Sequence, residues 1–160
     1  MTTAKRITVI AFICLSGVSL DQFTKAIALR YLNKGIVSSY MHDTLRIGYT
    51  ENHGAFLGLG DSLPQAYRYW IFVIAVGLFL AALLVYLIVK PLGNLTSVMG
   101  LSLVLAGGLS NLYDRATNNG AVVDFLNVGI GAIRTGVFNV ADMAIMAGAM
   151  LIAISLFNQK

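Results

Sequence analysis

Two aspartates stand at polar interruptions of an otherwise apolar chain, where paired carboxylates could do acid–base chemistry. Asp124 follows two valines, and Asp142 ends the phrase Asn139-Val140-Ala141-Asp142. A carboxylate at membrane depth costs about 2.5 to 3.5 kcal/mol on insertion scales, so such residues are usually functional. Amide hydrolysis by two carboxylates needs an ionised group that takes a proton from water and a protonated group that polarises the amide. Two aspartates sharing one proton supply both forms.

The two aspartates differ in their predicted surroundings. Asn139 is the predicted N-cap of a helix whose first turn holds Asp142, and the positive end of a helix favours an ionised carboxylate. The sequence therefore favours Asp142 as the base and Asp124 as the acid. Each residue also has an ordinary structural interpretation, because Asn139 and Asp142 match a helix cap and Asp124 could simply end a strand.

Composition indicates an integral membrane protein. Of 160 residues, 58% are hydrophobic and 11% charged, and the mean hydropathy is +0.78. We predict a single membrane domain, residues 1–160, with transmembrane helices at about 7–29, 67–89, 95–113 and 138–157. The third helix is rich in glycine and serine, which permit close helix packing in lipid. Lys5 and Arg6 ahead of the first apolar run also fit a secretory signal, but without a clear cleavage site we predict a retained helix.

Charge and cysteine content argue against a nucleic-acid-binding protein and against a chain with internal disulfides. The net charge of +4 fits attraction to anionic headgroups, and because no basic patch with interleaved aromatic residues is present we predict no nucleic-acid partner. The lone cysteine, Cys14, excludes a disulfide within the chain and is predicted to pack in the first helix. The distribution of Lys and Arg does not define which end of the bundle faces the cytoplasm.

The two longer connections emerge on one side of a bundle with an even number of helices. Residues 44–50 alternate between polar and apolar types, as in a half-buried strand, and residues 121–126 form a second β-prone stretch that is followed by a glycine-rich loop at 129–136. The predicted fold is therefore an all-α membrane protein with four transmembrane helices and a small β-sheet element on the outer side. Gly58-Leu59-Gly60-Asp61 resembles an intramembrane-protease motif, but beside Pro64 we interpret it as a turn.

Other polar residues are predicted to support the aspartates. Asp21 and Lys25 are four residues apart and should form an intrahelical ion pair. Asn52 and Gly54 fit either a plain turn or a backbone site that approaches a bound peptide.

A second polar group ends the third predicted helix. Asn111, Asp114 and Arg115 share one helix face. Arg115 is predicted to bind Asp114 or a backbone carbonyl and so hold the loop that carries Asp124. Contact of this group with a phospholipid headgroup is the alternative.

Five sequence blocks, taken in order and spacing, resemble lipoprotein signal peptidase, also called signal peptidase II. The resemblance spans nearly the whole chain. The blocks are Asp21-Gln22-Phe23-Thr24-Lys25, Asn52-His53-Gly54-Ala55, Gly107-Gly108-Leu109-Ser110-Asn111-Leu112-Tyr113-Asp114-Arg115, Val122-Val123-Asp124-Phe125 and Phe138-Asn139-Val140-Ala141-Asp142.

This resemblance implies a multi-pass aspartyl endopeptidase of the bacterial inner membrane, with its active site near the periplasmic face beside a small β-cradle. Its substrate would be a diacylglyceryl-modified prolipoprotein, cut just before the lipidated cysteine. Membrane phospholipid would be its other partner, and the expected form is a monomer. The implied catalytic residues are Asp124 and Asp142. The implied substrate-binding or supporting positions are Asp21, Lys25, Asn52, Gly54, Asn111, Asp114, Arg115, Asn139 and Ala141.

The sequence departs from the family pattern at one place. Phe56 and Leu57 follow Ala55, whereas the family has a small residue and then an aromatic one.

His42 and His53 lack the spacing of a metallopeptidase, so we predict neither a metal nor a cofactor. A proton-coupled transporter is an alternative that the absence of an inverted repeat disfavours. The second alternative is a relative of the family that binds lipidated peptides without cutting them.

Overall fold

The described part of the chain contains four long apolar helices and a four-stranded antiparallel sheet, which confirms the prediction of a helical membrane protein with a small sheet element. The structure is a computed structural model that describes residues 1–55, 59–90, 92 and 94–157, so Phe56 and Leu57 lie outside the described residues. The elements, in chain order, are α1 (Thr3–Tyr31), β1 (Val37–Tyr40), β2 (Leu45–Asn52), α2 (Gln65–Tyr69), a π-helical segment (Trp70–Ala75), α3 (Val76–Val89), α4 (Leu95–Thr117), β3 (Val122–Ile130), β4 (Ile133–Arg134) and α5 (Val140–Phe157).

Within the described part of the chain, four helices are long and apolar enough to cross a membrane. The second of them is continuous from Gln65 to Val89 through α2, the π-helical segment and α3. The third is longer than the predicted 95–113, because α4 continues through a last polar turn to Thr117. The chain reverses just after the helix, at Asn119 and Gly120, which have positive φ angles of 49° and 83°.

Helices α4 and α5 approach closely through glycines, as the composition of the third apolar segment predicted. A Cβ on Gly107 would meet the carbonyl oxygen of Ala141, and a Cβ on Gly100 would lie 2.9 Å from the carbonyl oxygen of Gly148. These contacts place the first turn of α5 directly against the polar end of α4. The apolar core lies between α1, α3 and α4 and is formed by Ile10, Leu80, Leu83, Leu87, Val98 and Leu105.

The sheet has the order β1-β2-β3-β4. Strand β2 pairs with β3, so that Thr50 lies opposite Asp124. The predicted loop at 129–136 was wrong in part, because β3 continues to Ile130 and turns back into β4. Arg134 holds this return strand by donating from Nε to Asn127 Oδ1 at 2.6 Å, a contact that local sequence does not reveal. Strand β1 was not predicted, since all four of its residues are exposed and show no alternation.

A small apolar cluster joins the sheet to the helices. Val123 and Phe125 of β3 pack with Ala28 near the end of α1, and Val140 at the start of α5 packs against them. The first half of β3 is therefore fixed at the end of the bundle where α1 ends and α5 begins. We call this end the sheet end.

Candidate active site

Asp124 and Asp142 come together at the sheet end, and Asn139 bridges them. The side-chain amide of Asn139 donates to Asp124 Oδ1 at 2.7 Å, and its backbone N–H donates to Asp142 Oδ2 at 3.1 Å. Asn139 is fully buried, which limits its freedom to rotate. Two carboxylates 18 positions apart in the chain thus share one rigid neighbour.

Asp124 is the more enclosed of the two carboxylates. It lies in β3 with 2% of its surface exposed, whereas Asp142 is half-buried. Its second oxygen, Oδ2, accepts from the Asn52 side-chain amide at 2.9 Å. Burial, together with the nearby charge of Asp142, raises the pKa of Asp124 to about 6, although the two amide donors oppose this rise. Asp124 therefore holds a proton at a pH at which an exposed aspartate is ionised.

Asp142 lies in the first turn of α5, as the Asn139-Val140-Ala141-Asp142 pattern predicts. Its Oδ1 accepts from the Asn111 side-chain amide at 3.0 Å, and its Oδ2 accepts from the backbone of Asn139. Two N–H groups and the helix N-terminus therefore surround this carboxylate and offset part of the cost of burying its charge.

A buried lysine organises the residues behind the aspartate pair. Lys25 Nζ lies 2.6 Å from Asp21 Oδ2 and 2.8 Å from Asp114 Oδ2, and it donates to Asn111 Oδ1 at 2.8 Å. The predicted ion pair of Asp21 and Lys25 is present, and Asp114 of α4 adds a second carboxylate. With its Oδ1 occupied by Lys25, Asn111 must direct its amide N–H group towards Asp142.

Two aspartates outside the pair connect this lysine to the backbone of the site. Asp21 Oδ1 accepts from the backbone N–H of Ala141 at 2.8 Å, next to Asp142. Asp114 Oδ2 accepts from the backbone N–H of Val123 at 3.3 Å, next to Asp124. Both segments that carry the aspartate pair are thus tied to buried carboxylates in α1 and α4.

Arg115 ties down the segment that follows β2. Of its two predicted partners the structure contains the backbone carbonyl, because Nη2 donates to Gly54 O at 2.7 Å while Asp114 is bound to Lys25. Its guanidinium carbon also lies 5.5 Å from the centre of the Phe72 ring. Gly54 donates its own N–H to Asn52 Oδ1 at 3.0 Å, so one short turn links Arg115 to the amide that contacts Asp124.

All of the predicted site residues meet in this cluster, and two further residues belong to it. Gln22 donates its amide to Ser110 Oγ at 2.9 Å and to Asp114 Oδ1 at 2.7 Å, and Ser110 donates to Asp21 Oδ2 at 2.7 Å. The signal that could have found them is their polarity within membrane-spanning segments, since such groups need partners inside the protein. Among the described residues, no group of three His, Cys, Asp or Glu side chains is arranged to hold a metal ion.

A cavity of about 200 Å³ opens beside Asp142 between α3, α4 and α5. Its polar side is formed by Asn111, Arg115 and Asp142, and its apolar side includes Val76 and Met146. The cavity therefore offers a carboxylate on one wall and hydrocarbon-like surface on the other. Together with the four spans, this geometry defines a multi-pass membrane protein with an aspartate-pair site at the sheet end.

Comparison with known proteins assigns the family. The family of signal peptidase (SPase) II matches residues 13–158. A lipoprotein signal peptidase of Geobacillus kaustophilus is 33% identical over 147 residues, which are 91% of each chain. One from Francisella tularensis subsp. novicida is 36% identical over 148 residues, covering 89% of this chain and 88% of the relative.

A solved bacterial membrane enzyme superposes with a TM-score of 0.79 at 31% identity, over 97% of this chain and 88% of that one. The chain belongs to the signal peptidase II family, which confirms the resemblance and makes it a membrane peptidase.

Proposed function

We propose that this protein removes the signal peptide from a diacylglyceryl-modified prolipoprotein, cutting just before the lipidated cysteine, and that Asp124 and Asp142 are its catalytic residues. The bridge that Asn139 forms between the two carboxylates carries this proposal. It holds an acid that retains its proton to about pH 6 next to a carboxylate at a helix N-terminus. This is the pair of forms that amide hydrolysis by water requires.

The reaction follows from those two environments. Asp142, ionised, takes a proton from a water molecule, and the oxygen of that water attacks the scissile carbonyl carbon. Asp124, protonated, donates a hydrogen bond to the carbonyl oxygen as negative charge develops there. Collapse of the tetrahedral intermediate breaks the C–N bond, and the departing amine takes a proton from the pair. Because the two groups are coupled, their roles can exchange between steps.

The surroundings of the pair fit a substrate that is half lipid and half peptide. The cavity beside Asp142 has an apolar side formed by Val76, Ile145 and Met146 of the membrane-spanning helices. On the other side, Asn52 and Gly54 form the turn that follows β2, and the side-chain amide of Asn52 contacts Asp124. We place the lipid of the substrate among the helices and its peptide against the turn of Asn52 and Gly54.

The other polar residues of the site hold the proposed catalytic pair and its neighbours in place. Lys25, Asp21 and Asp114 hold Asn111 and the backbone beside each catalytic aspartate. Arg115 holds the turn that carries Asn52. The proposed setting is the bacterial inner membrane, with the sheet end at the periplasmic face, phospholipid around the helices and one chain acting alone.

Cleavage of a purified diacylglyceryl-modified prolipoprotein in detergent tests the proposal, with and without a chelator. Wild type and the control D61N should cleave equally in both conditions, because Asp61 lies in an exposed loop and pairs with Arg68. D124N and D142N should show no measurable cleavage. Cleavage by either variant would remove that aspartate from the mechanism, and absence of cleavage by wild type would favour a protein that binds lipidated peptides without cutting them.

A further inference from the structure

The sheet carries an exposed apolar end that the proposed reaction does not use. Ile133 is 86% exposed, Ile130 79% and Met41 74%, and Tyr40 and Val128 beside them are also exposed. We call these five residues the apolar rim. Clustering of exposed apolar side chains of this kind marks an interaction surface.

The rim is one surface because two hairpin turns lie side by side. Strands β2 and β3 pair with Leu45 opposite Val128, which brings the β1–β2 turn next to the β3–β4 turn. The backbone N–H of Gly129 donates to Thr44 O at 2.9 Å and links the two turns directly. Residues 40 and 41 of one hairpin therefore lie at the same end of the sheet as residues 128, 130 and 133 of the other.

The rim lies on the half of the sheet that does not pack against the helices. Residues 122–125 of β3 are buried against the bundle, whereas Val128 and Ile130 are exposed, so the strand leaves the bundle along its length. At about 3.3 Å per residue, the second half of β3 extends some 15 Å past the buried half.

A groove lies between α5 and the segment that follows Ile133 of the rim. This groove, about 470 Å³ in volume, is bounded on one side by residues 134–138, which follow the β3–β4 turn. On the other side it is bounded by Met143, Met146 and Met150, all exposed on the membrane-spanning helix α5. The exposed methionines of a membrane-spanning helix thus lie next to the strand that carries Ile133. This proximity favours lipid, and not a soluble protein, as the partner of the rim.

The charges near the rim are compatible with that location. Asp43 in the β1–β2 turn is held by Arg46 Nη2 at 2.6 Å and by Arg134 Nη1 at 3.4 Å. Ser39 Oγ also donates to this carboxylate at 2.7 Å. The one acidic side chain in these two turns is therefore neutralised, which lowers the cost of placing the turns among anionic headgroups.

We propose that the apolar rim inserts into the bilayer, at the boundary between headgroups and acyl chains of the leaflet on the sheet side. Because Asp124 lies on the same strand as Ile130, insertion sets the depth of the aspartate pair relative to the membrane. The four helices and the inserted rim then both fix the position of the aspartate pair relative to the membrane.

Tryptophan fluorescence tests this directly, because Trp70 is the only tryptophan in the chain. In a W70F background, I133W and M41W each place a single tryptophan on the rim. Both variants are placed in phosphatidylcholine–phosphatidylglycerol vesicles, with or without bromine on the acyl chains, and titrated with iodide in the aqueous phase. The wild-type protein, with Trp70 in a membrane-spanning segment, is the lipid-facing control, and N-acetyltryptophanamide is the water control.

We expect brominated lipid to quench rim tryptophan by at least half as much as it quenches Trp70, with little quenching by iodide. Quenching by iodide without quenching by brominated lipid would overturn the proposal, because the rim would then face water. Quenching by neither agent would also overturn it, because the rim would then be covered by protein. M41W gives an independent answer if I133W does not fold.

Discussion

Asn139 and Asp142 hold each other by two reciprocal hydrogen bonds. The backbone N–H of Asn139 donates to Asp142 Oδ2 at 3.1 Å, and the backbone N–H of Asp142 donates to Asn139 Oδ1 at 2.9 Å. This is the geometry of a capping box, which begins α5. The same two bonds orient the Asp142 carboxylate and leave its Oδ1 for Asn111. The helix cap and the proposed catalytic site are therefore one structure.

The two roles of Asn139 can be separated by substitution. N139S keeps an oxygen that can cap α5 but loses the amide that donates to Asp124 at 2.7 Å, whereas N139A loses both. We expect cleavage to fall about 100-fold or more in both variants, as when a donor at a reacting centre is removed. N139A should be less stable than N139S by about 1 kcal/mol. A wild-type rate for N139S would show that the amide has no part in the reaction.

The pH dependence of cleavage should report Asp124. Its pKa is raised from 3.8 to about 6, so it is protonated below that pH and loses its proton above it. If Asp124 is the acid, kcat/KM should fall about tenfold per pH unit above an apparent pKa near 6. D43N should leave this limb unchanged, because hydrogen bonds from Arg46 and Ser39 hold the pKa of Asp43 well below its ordinary value. A profile flat from pH 5 to 8 would contradict the assignment.

The raised pKa of Asp124 also makes the stability of the folded protein depend on pH. The folded protein binds the Asp124 proton more tightly than the unfolded chain does, so this group stabilises the folded state most below pH 3.8. That contribution is lost as the pH rises through about 6.

Lys25 should matter more for stability than any exposed lysine. K25M removes the cation between Asp21 and Asp114, leaving two buried carboxylates, and should cost about 3 to 5 kcal/mol in the free energy of unfolding. K34M removes a surface pair with Glu51, in which the lysine side chain is 67% exposed, and should cost about 1 kcal/mol or less. Unfolding in detergent measures both. Equal costs would mean that the buried network contributes no more than a surface pair.

Glycine packing between α4 and α5 should control the position of Asp142. G107A places a methyl group against the carbonyl oxygen of Ala141, so α5 must shift at the turn that carries Asp142. We expect a loss of about 1 to 3 kcal/mol in stability and a clear fall in cleavage rate. G77A is the matched control, because its new Cβ would lie 3.6 Å from Leu112 Cδ2, an ordinary contact. Wild-type cleavage by G107A would show that α5 is free to move without affecting the reaction.

Local patterns predicted those parts of the site whose partners are close in the chain. The pair of Asp21 and Lys25 follows from a separation of four residues in a helix, and the cap of Asn139 and Asp142 from a separation of three. Strands β1 and β4 were missed because their residues show no alternation: pairing with a neighbouring strand, and the Arg134 contacts, decide their structure.

By itself, the sequence determined the membrane class, the number of spanning helices and the cap of the last helix, because hydrophobic runs and helix caps are properties of short segments. Only the tertiary structure decided how the polar residues at the sheet end are connected. Lys25 binds Asp114 as well as Asp21, Gln22 and Ser110 join the network, and Arg115 binds Gly54 O. These contacts join residues 61 to 89 positions apart. They exist because buried polar groups must find partners on whichever helix the packing brings near.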